Sequence, residues 1–550
     1  MASSRKRLRV SFSLPPEEDI PSPSLPSLQR TVSPPQSKRS KKPMAHGAAK
    51  NQTNAHHPSL ISSPFELTHI KDLPDKEGLN DDTVKLRDIL GHPLIKECWQ
   101  FNYLFDVDFM MSNFDQDVRG LAQVKVVHGT WEEKSWNKMT IDESCSRYPN
   151  VKPITAILPE PFGTHHSKMM IIFRHDDLAQ VVIHTANMIP QDWANMTQAV
   201  WRSPLLPLLG PGSTSSSRED TILGSGLRFK MDLLEYLRAY GLEKTGPLVQ
   251  HLSRFDFSAV RAALIASVPS RQKLNGLDSN EATLWGWPAL RDLTTQVRSK
   301  VAGQSHKDSQ IAIQVSSIAS LGKDDQWLKN FFKALAPRCN HPPNCSIIWP
   351  TMDEVADSLD GYASGGSLHM KTESAAHQKQ LQYLLPHLCQ WSGDSNVIHP
   401  SAGDDNPKRK AGRGRAAPHI KTYIRFSDAS MNTIDWAMLT SANLSKQAWG
   451  AVQNDKGQVR ISSFEIGVVV WPKLYIDSSS PLPTRTRKPP SVLMVPCFKR
   501  NQPEPSNLSP KITTVVGLRM PYDLPLTPYG THDEPWSAIA LHQAIGLMGF

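Results

Sequence analysis

The sequence predicts an α/β protein of two pseudo-symmetric domains, each a mixed sheet flanked by helices, with one shared active site. Three observations carry this. First, a motif is written twice: His166-Ser167-Lys168 with Thr185-Ala186-Asn187 and Trp193, then His419-Ile420-Lys421 with Ser441-Ala442-Asn443 and Trp449. His to Asn is 187−166 = 21 in one copy and 443−419 = 24 in the other, and Asn to Trp is six in both. Second, strand-like and helix-like segments alternate. Val124–Val127, Ile154–Leu158, Met169–Phe173 and Val181–His184 read as strands, with a helix over Met231–Tyr240. Ile311–Val315, Ile347–Trp349 and Val468–Trp471 follow, with a helix near Ala375–Trp391. Such alternation indicates α/β layering. Third, 550 residues allow roughly three to four units by length, but the repeat argues for two large ones.

The expected boundaries are a basic, Ser/Pro-rich disordered tail over 1–62, a first domain over 63–270 and a second over 271–550. The tail has too few apolar residues to offset the entropy of ordering. It holds two basic clusters, Arg5–Arg9 and Lys38–Lys42, which read as nuclear-import signals, and Ser33-Pro34 is a candidate phosphosite. Ser213–Arg218 and Gly403–Arg415 read as loops. The second carries Lys408, Arg409, Lys410, Arg413 and Arg415 and is a candidate nucleic-acid contact.

The net charge of +9 and pI near 9.1 suit a polyanion, although much of the excess lies in the tail and the basic insert. Six Cys without a pairing pattern read as reduced intracellular thiols. Cys339 and Cys345 enclose a turn rather than a metal site, since no second pair completes four ligands. No apolar run approaches the roughly 20 residues of a membrane span.

His-x-Lys alone is a weak signal. With 20 His in the chain, about one accidental match is expected. His69-Ile70-Lys71 and His369-Met370-Lys371 are such matches, and neither has the downstream Asn and Trp. The two full copies run into short strands, Met169–Phe173 and Thr422–Phe426. On a strand, residues i and i+2 share a face, so each His and its Lys can aim at one phosphate. Each Asn sits where a neighbouring strand ends.

At these residues the chain resembles the phospholipase D superfamily, whose hallmark is two His-x-Lys motifs in one site. It is more closely similar to eukaryotic tyrosyl-DNA phosphodiesterases, which carry Asn where the superfamily has Asp, as Asn187 and Asn443 do. Phe101–Asp108, Pro161–Lys168, Val315–Gly322 and Gly361–Gly366 agree as well, and the likeness runs from about Ser63 to about Trp536. After Trp536 the sequence departs from the family's ending.

The resemblance implies two phospholipase-D-like domains and a role for each matching residue. His166 is the nucleophile, and His419 the general acid and then base. Lys168, Lys421, Asn187 and Asn443 grip the phosphate, and Gln198 and Glu465 orient the imidazoles. Ser316 and Ser317 hold the next DNA phosphate, Phe162 stacks on a base, and Tyr103 lies in the substrate-binding set. The implied substrate is single- or double-stranded DNA blocked at its 3′ end, with a topoisomerase I-derived peptide as the adduct. The enzyme is expected to be a nuclear monomer without membrane contact.

The chemistry fits the residue types. Two ammonium groups neutralise the phosphodiester, and two amides donate fixed hydrogen bonds as charge moves to its oxygens. A neutral His can attack phosphorus while a protonated His supplies the leaving group's proton. Both states of His lie near neutral pH. No cofactor or metal is required. Asp106 and Asp108, an Asp-x-Asp pair, read as structural rather than as a Mg²⁺ site. Residue type does not decide which imidazole Glu465 contacts and which Gln198 contacts. The rival readings are a general phospholipase-D-type nuclease or lipid hydrolase and a DNA-binding scaffold with a dead site. The intact His, Lys and Asn sets argue against the scaffold.

Overall fold

The computed structural model describes residues 58–537 apart from 75–76, 133, 211–221, 274–281, 298–308, 338–342, 394–407, 454–456, 477–490 and 505–510. The two basic clusters of the tail, Ser33-Pro34, Ser213–Arg218, Cys339 and the segment after 537 lie outside the described residues. From His56 onward the chain is one compact unit.

Two sheets organise it. The first runs Glu66–Leu67, Ala199–Arg202, Leu178–His184, Met169–Arg174, Ile95–Phe101, Gln123–Thr130 and Val151–Ile157, with Leu206–Pro207 added beside Leu178–His184. The second runs Ala263–Ser267, Glu465–Val470, Ile434–Thr440, Thr422–Phe426, Gln310–Gln314, Asn344–Ile348 and Leu388–Cys389. In the first sheet the first four junctions are antiparallel and the last two parallel. The second sheet repeats that pattern junction for junction. The repeat in sequence is therefore a repeat in topology. Ala263–Ser267, just before residue 270, already belongs to the second sheet.

The central strands explain why their sequences are apolar without alternation. Met169, Ile171 and Phe173 face a core that also holds Ile424, Phe426, Leu439 and Val468 of the other sheet. Met170 and Ile172 face the opposite side, against Met110, Met111 and Ile141 of the helices Val107–Ser112 and Trp136–Ser146. A strand buried on both faces reads as a continuous hydrophobic run. The helices Gly226–Arg238 and Leu242–Leu252 complete the shared core with Phe229, Leu233, Leu237 and Leu248.

Three expectations need correction. The helix near 375–391 is Ala375–Leu384 only, followed by a 3₁₀ turn and the strand Leu388–Cys389. Pro386 lacks an N–H and disfavours helix in the residue before it. Ser59–Ile61, assigned by composition to the tail, is a strand parallel to Ile512–Arg519. The basic insert, where described, is built into the body. Lys408 donates to Thr527, Arg409 to Asn432 and the Ser430 carbonyl, and the buried Arg413 to the carbonyls of Thr68 and Leu79. These three cations hold loops together and are not free for nucleic acid, whereas Lys410 and Arg415 are exposed.

Trp536 is fully buried. Its indole donates to the Gly365 carbonyl at 3.2 Å, and its own carbonyl accepts from Trp349. A Cβ on Gly365 would stand 1.9 Å from its ring, which accounts for the glycine at 365. Trp536→Ala should lower stability by about 3–5 kcal/mol, the usual cost of emptying a buried aromatic site. Chemical denaturation checks this, and a loss under 1 kcal/mol would show that Trp536 is not part of the core.

Candidate active site

The two His-x-Lys motifs lie just ahead of the matching strands Met169–Arg174 and Thr422–Phe426. Each is bonded to the other half of the molecule. The His166 N–H donates to the Phe464 carbonyl at 3.0 Å, and the N–H groups of His419 and Ile420 donate to the Thr197 carbonyl at 3.1 and 2.9 Å. Phe464 precedes Glu465, and Thr197 precedes Gln198. These reciprocal backbone contacts place Glu465 against His166 and Gln198 against His419.

The side chains follow. His166 Nδ1 lies 3.0 Å from Glu465 Oε2, which also accepts from Ser441. His419 Nδ1 lies 3.0 Å from Gln198 Nε2. The Gln198 oxygen accepts from the Thr185 hydroxyl at 2.7 Å and also lies 3.3 Å from the same Nδ1. Sequence reasoning left this assignment open. The anion sits on His166, the residue the resemblance makes the nucleophile.

A residue that sequence reasoning missed adds a second anion. Asp192, completely buried, places Oδ2 3.1 Å from His419 Nδ1 and accepts from the Asn187 N–H at 2.6 Å. A signal was present: Asp192 lies inside the repeated Asn-to-Trp segment, and its counterpart in the second copy is Ala448.

Lys168 donates to the His166 carbonyl at 3.2 Å, and Lys421 donates to the His419 carbonyl. Both ammonium groups are buried. Burial pushes Lys168 down to about 8, with Glu465 and Asp192 opposing. Burial and the neighbouring Lys168 push Lys421 well below the usual lysine range. Burial also lowers His166, and lowers His419 much further with help from Lys421 and Lys168. Burial alone would raise Glu465, but His166 and Ser441 hold it below its ordinary value. Asp192 is pushed up to about 6 by burial, against the Asn187 N–H and Lys421. Before substrate binds, both imidazoles are therefore neutral near pH 7.

The amides are fixed differently. Asn443 Oδ1 accepts from the N–H groups of Ser316 and Ser317, both at 3.0 Å, and from the Ser316 hydroxyl at 3.3 Å. That turns its NH₂ away from the serines. Ser316 is buried behind Asn443, while Ser317 is half-buried. In the other half, Asp192 takes the Asn187 N–H and Trp193 donates to the Asn187 carbonyl at 3.0 Å. The repeated tryptophans differ here, since Trp449 donates instead to the Tyr423 hydroxyl.

Around the mouth, Tyr103 lies with its ring centroid 5.7 Å from that of His166. Phe162 is 72% exposed, adopts φ 62° and contacts Trp131 at 5.3 Å. A bulky residue at positive φ outside a regular element is uncommon and marks a locally constrained loop. Its neighbour Gly163 packs so closely on Ser462 that a Cβ would lie 2.4 Å from that carbonyl oxygen. Arg271 and Arg460 hold Glu160 at the start of the same loop.

The incomplete motif at His369 also lies near the site. Its N–H donates to the Ser316 carbonyl at 3.0 Å, and His369 pairs in register with Ser317. The incomplete motif at His69 serves structure through its N–H bond to Val84. Asp106 caps the helix Val107–Ser112 by accepting from Phe109, and Asp108 holds Arg147 and Tyr148. Both therefore have structural partners.

Comparison with known proteins agrees with this geometry. The profile of the tyrosyl-DNA phosphodiesterase family matches residues 64–530. The chain belongs to the tyrosyl-DNA phosphodiesterase family. It is 32% identical to a probable tyrosyl-DNA phosphodiesterase of Schizosaccharomyces pombe, covering 87% of this chain and 94% of that protein. It is 30% identical to tyrosyl-DNA phosphodiesterase 1 of Arabidopsis thaliana, covering 87% and 74%. The fold is similar to the crystal structure of the yeast tyrosyl-DNA phosphodiesterase, with TM-score 0.58, 19% identity, and coverage of 87% and 99%. The molecule is thus a phosphodiesterase of two phospholipase-D-like sheets.

One pH dependence follows for an enzyme of this family. Burial pushes Lys168 down to about 8 in the free enzyme, and a lysine that grips the phosphate, as the resemblance implies for Lys168, loses that grip when deprotonated. The profile of kcat/KM, which reports free-enzyme groups, should therefore fall as pH rises above about 8. A flat profile to pH 9.5 would exclude this role for Lys168.

Proposed function

We propose that the protein hydrolyses 3′-phosphotyrosyl bonds of the topoisomerase I type in DNA repair, through a phosphohistidine on His166, and leaves a 3′-phosphate. The observation that carries this reading is the doubled site: two imidazoles between two buried lysines, each held at Nδ1 by a residue from the opposite half.

The charge count supports the protonation states. Lys168 and Lys421 balance Glu465 and Asp192. A bound phosphodiester adds one negative charge, so the complex takes up one proton, which an imidazole can hold. With Nδ1–H donated to Glu465, His166 keeps a free Nε2 lone pair for attack in line with the tyrosyl oxygen. The N–P bond forms, the P–O bond to tyrosine breaks, and the phenolate takes its proton from His419. Water then gives a proton to neutral His419 and attacks phosphorus. The N–P bond breaks, and His166 is restored. Phenol, with an unperturbed pKa near 10, leaves more readily than an alkoxide.

His166 is the more exposed imidazole, its side chain 15% accessible against 5% for His419, which suits the attacking group. The DNA would lie toward Ser317 and Asn443, with Phe162 available to stack on a base and Tyr103 beside the reacting phosphorus. The two sheets act as two domains meeting at the site, in a monomer. The basic N-terminal clusters fit import into the nucleus.

Because Lys and Asn supply the charge compensation, cleavage of a 3′-phosphotyrosyl oligonucleotide should proceed unchanged in excess EDTA. Loss of activity in EDTA, restored by Mg²⁺, would overturn the metal-free reading. Hydrolysis of a phospholipid in preference to this oligonucleotide would favour the lipid-hydrolase rival.

A further inference from the structure

We infer that the incomplete motif His369-Met370-Lys371 is a binding site for the DNA backbone, in which His369 and Lys371 take the phosphates that follow the scissile one. This deepens the phosphodiesterase reading and rests on it.

The argument begins from strand register. Ser317–Ile318 and His369–Met370 are two short parallel strands, with Ser317 opposite His369 and Ile318 opposite Met370. Opposed residues share a face of a sheet, and neighbours along a strand point to opposite faces. Burial follows this alternation. Ile318 and Met370 are buried in one apolar core, whereas Ser317 is half-buried and His369 is exposed. Lys371 is exposed again, and Thr372 is buried. Ser317, His369 and Lys371 therefore stand on one open face. Ala319, two residues beyond Ser317, is half-buried and too short to fill it.

That face leads out of the active site. The N–H groups of Ser316 and Ser317 both donate to Asn443 Oδ1. The His369 N–H donates to the Ser316 carbonyl at 3.0 Å. The His369 ring feels the charge of Lys421 and itself acts on His419. Polar groups thus run outward from Asn443 through Ser317 and His369 to Lys371.

The charges suit a phosphodiester backbone. Glu373, the carboxylate next to Lys371 along the chain, lies 3.6 Å from His377 Nδ1. Lys371 forms no ion pair among the described residues, so its exposed ammonium is free for an anion. His369 adds no fixed charge beside Lys421. Burial and Lys421 hold its ring below the ordinary value, with the Ser367 carbonyl opposing. The ring is neutral in the free protein and takes a proton where a phosphate arrives. Each further linkage of a DNA strand brings one such charge.

The test pairs each side chain with the backbone charge it meets. KM and kcat are measured for a single-stranded 3′-phosphotyrosyl oligonucleotide, and for the same oligonucleotide with neutral methylphosphonates at the first two linkages beyond the scissile phosphate. On the charged strand, His369→Ala and Lys371→Gln should each raise KM by about 5-fold, the upper range for an exposed charge pair. The kcat should hold, because the lost binding is common to ground and transition states. For Lys371→Gln the slope of log KM against log salt should fall by about 0.7, the share of one phosphate on a single strand. On the methylphosphonate strand both losses should vanish, as a double-mutant cycle requires of partners that act only on each other. Unchanged KM in both variants on the charged strand, or equal losses on the two strands, would overturn the subsite. Wild-type protein that cleaves neither strand would instead overturn the function on which it rests. Both side chains are exposed, and Lys371 has no ion-pair partner to lose, so Lys371→Gln carries the test if His369→Ala proves unstable.

Discussion

His166→Ala should abolish turnover, lowering kcat/KM by at least about 10⁴-fold, as expected when the nucleophile of a cooperating set is removed. That corresponds to more than roughly 5 kcal/mol of transition-state stabilisation. The remaining groups can hold a phosphate but have no free lone pair in place. Lys168 and Lys421 are turned back onto backbone carbonyls. His419 is occupied at Nδ1 and must deliver a proton from Nε2. The fold should survive, because the His166 backbone keeps its bond to Phe464 and the lost ring is partly exposed. Glu465 keeps Ser441 as a partner. Acid quench of the wild type followed by peptide mapping should find the DNA adduct on His166. Label on another residue would remove the assignment.

What was legible in the sequence is what repeats. The two motifs, their strands and the trailing Asn and Trp are local patterns, and the sheets reproduce them strand for strand. The reciprocal placement of Glu465 and Gln198 was not legible. It depends on backbone contacts between residues about 220 to 300 positions apart, His166 with Phe464 and Ile420 with Thr197, and no periodicity reports such contacts. Asp192 was not legible because the repeat reports what the two halves share, whereas Asp192, opposite Ala448, marks where they differ. The same applies to His369, set aside as an incomplete motif. Its strand is brought beside Ser317 by pairing across 52 residues of chain, 369−317.

In the basic insert, composition overcounts the free charge: Lys410 and Arg415 are exposed, but Lys408, Arg409 and Arg413 are tied to the body. A run of Lys and Arg has the composition of a polyanion contact, yet Arg413 is buried against the carbonyls of Thr68 and Leu79. A guanidinium carries five donors in a planar fork, enough to close two loops at once. Charge in sequence does not distinguish a free cation from one consumed by the fold. Likewise Ser316, read as a phosphate contact, is buried and spends its hydroxyl and N–H on Asn443.

The second large effect separates the two halves of the reaction. His419→Arg should let His166 attack and then stall with DNA attached to His166. An arginine restores a positive charge near the leaving oxygen, and a phenolate needs limited help from an acid. Hydrolysis of the phosphohistidine is different, because water needs a base, and a guanidinium stays protonated throughout the accessible pH range. The second step should therefore lose most, on the order of the 10²–10⁴-fold that a general base supplies. His419→Asn should be slow but less prone to stall, since the smaller side chain leaves room for a water. Arginine is larger than the buried imidazole it replaces, and overpacking costs about 1–3 kcal/mol, so a thermal melt should accompany the assay. Single-turnover reactions resolved under denaturing conditions should show a protein–DNA band that accumulates with His419→Arg and remains weak with wild type. If His419→Arg gives no such band while His166→Arg does, attack comes from His419. The proton then moves through His166, whose Glu465 partner is the carboxylate that a general acid at that position would use.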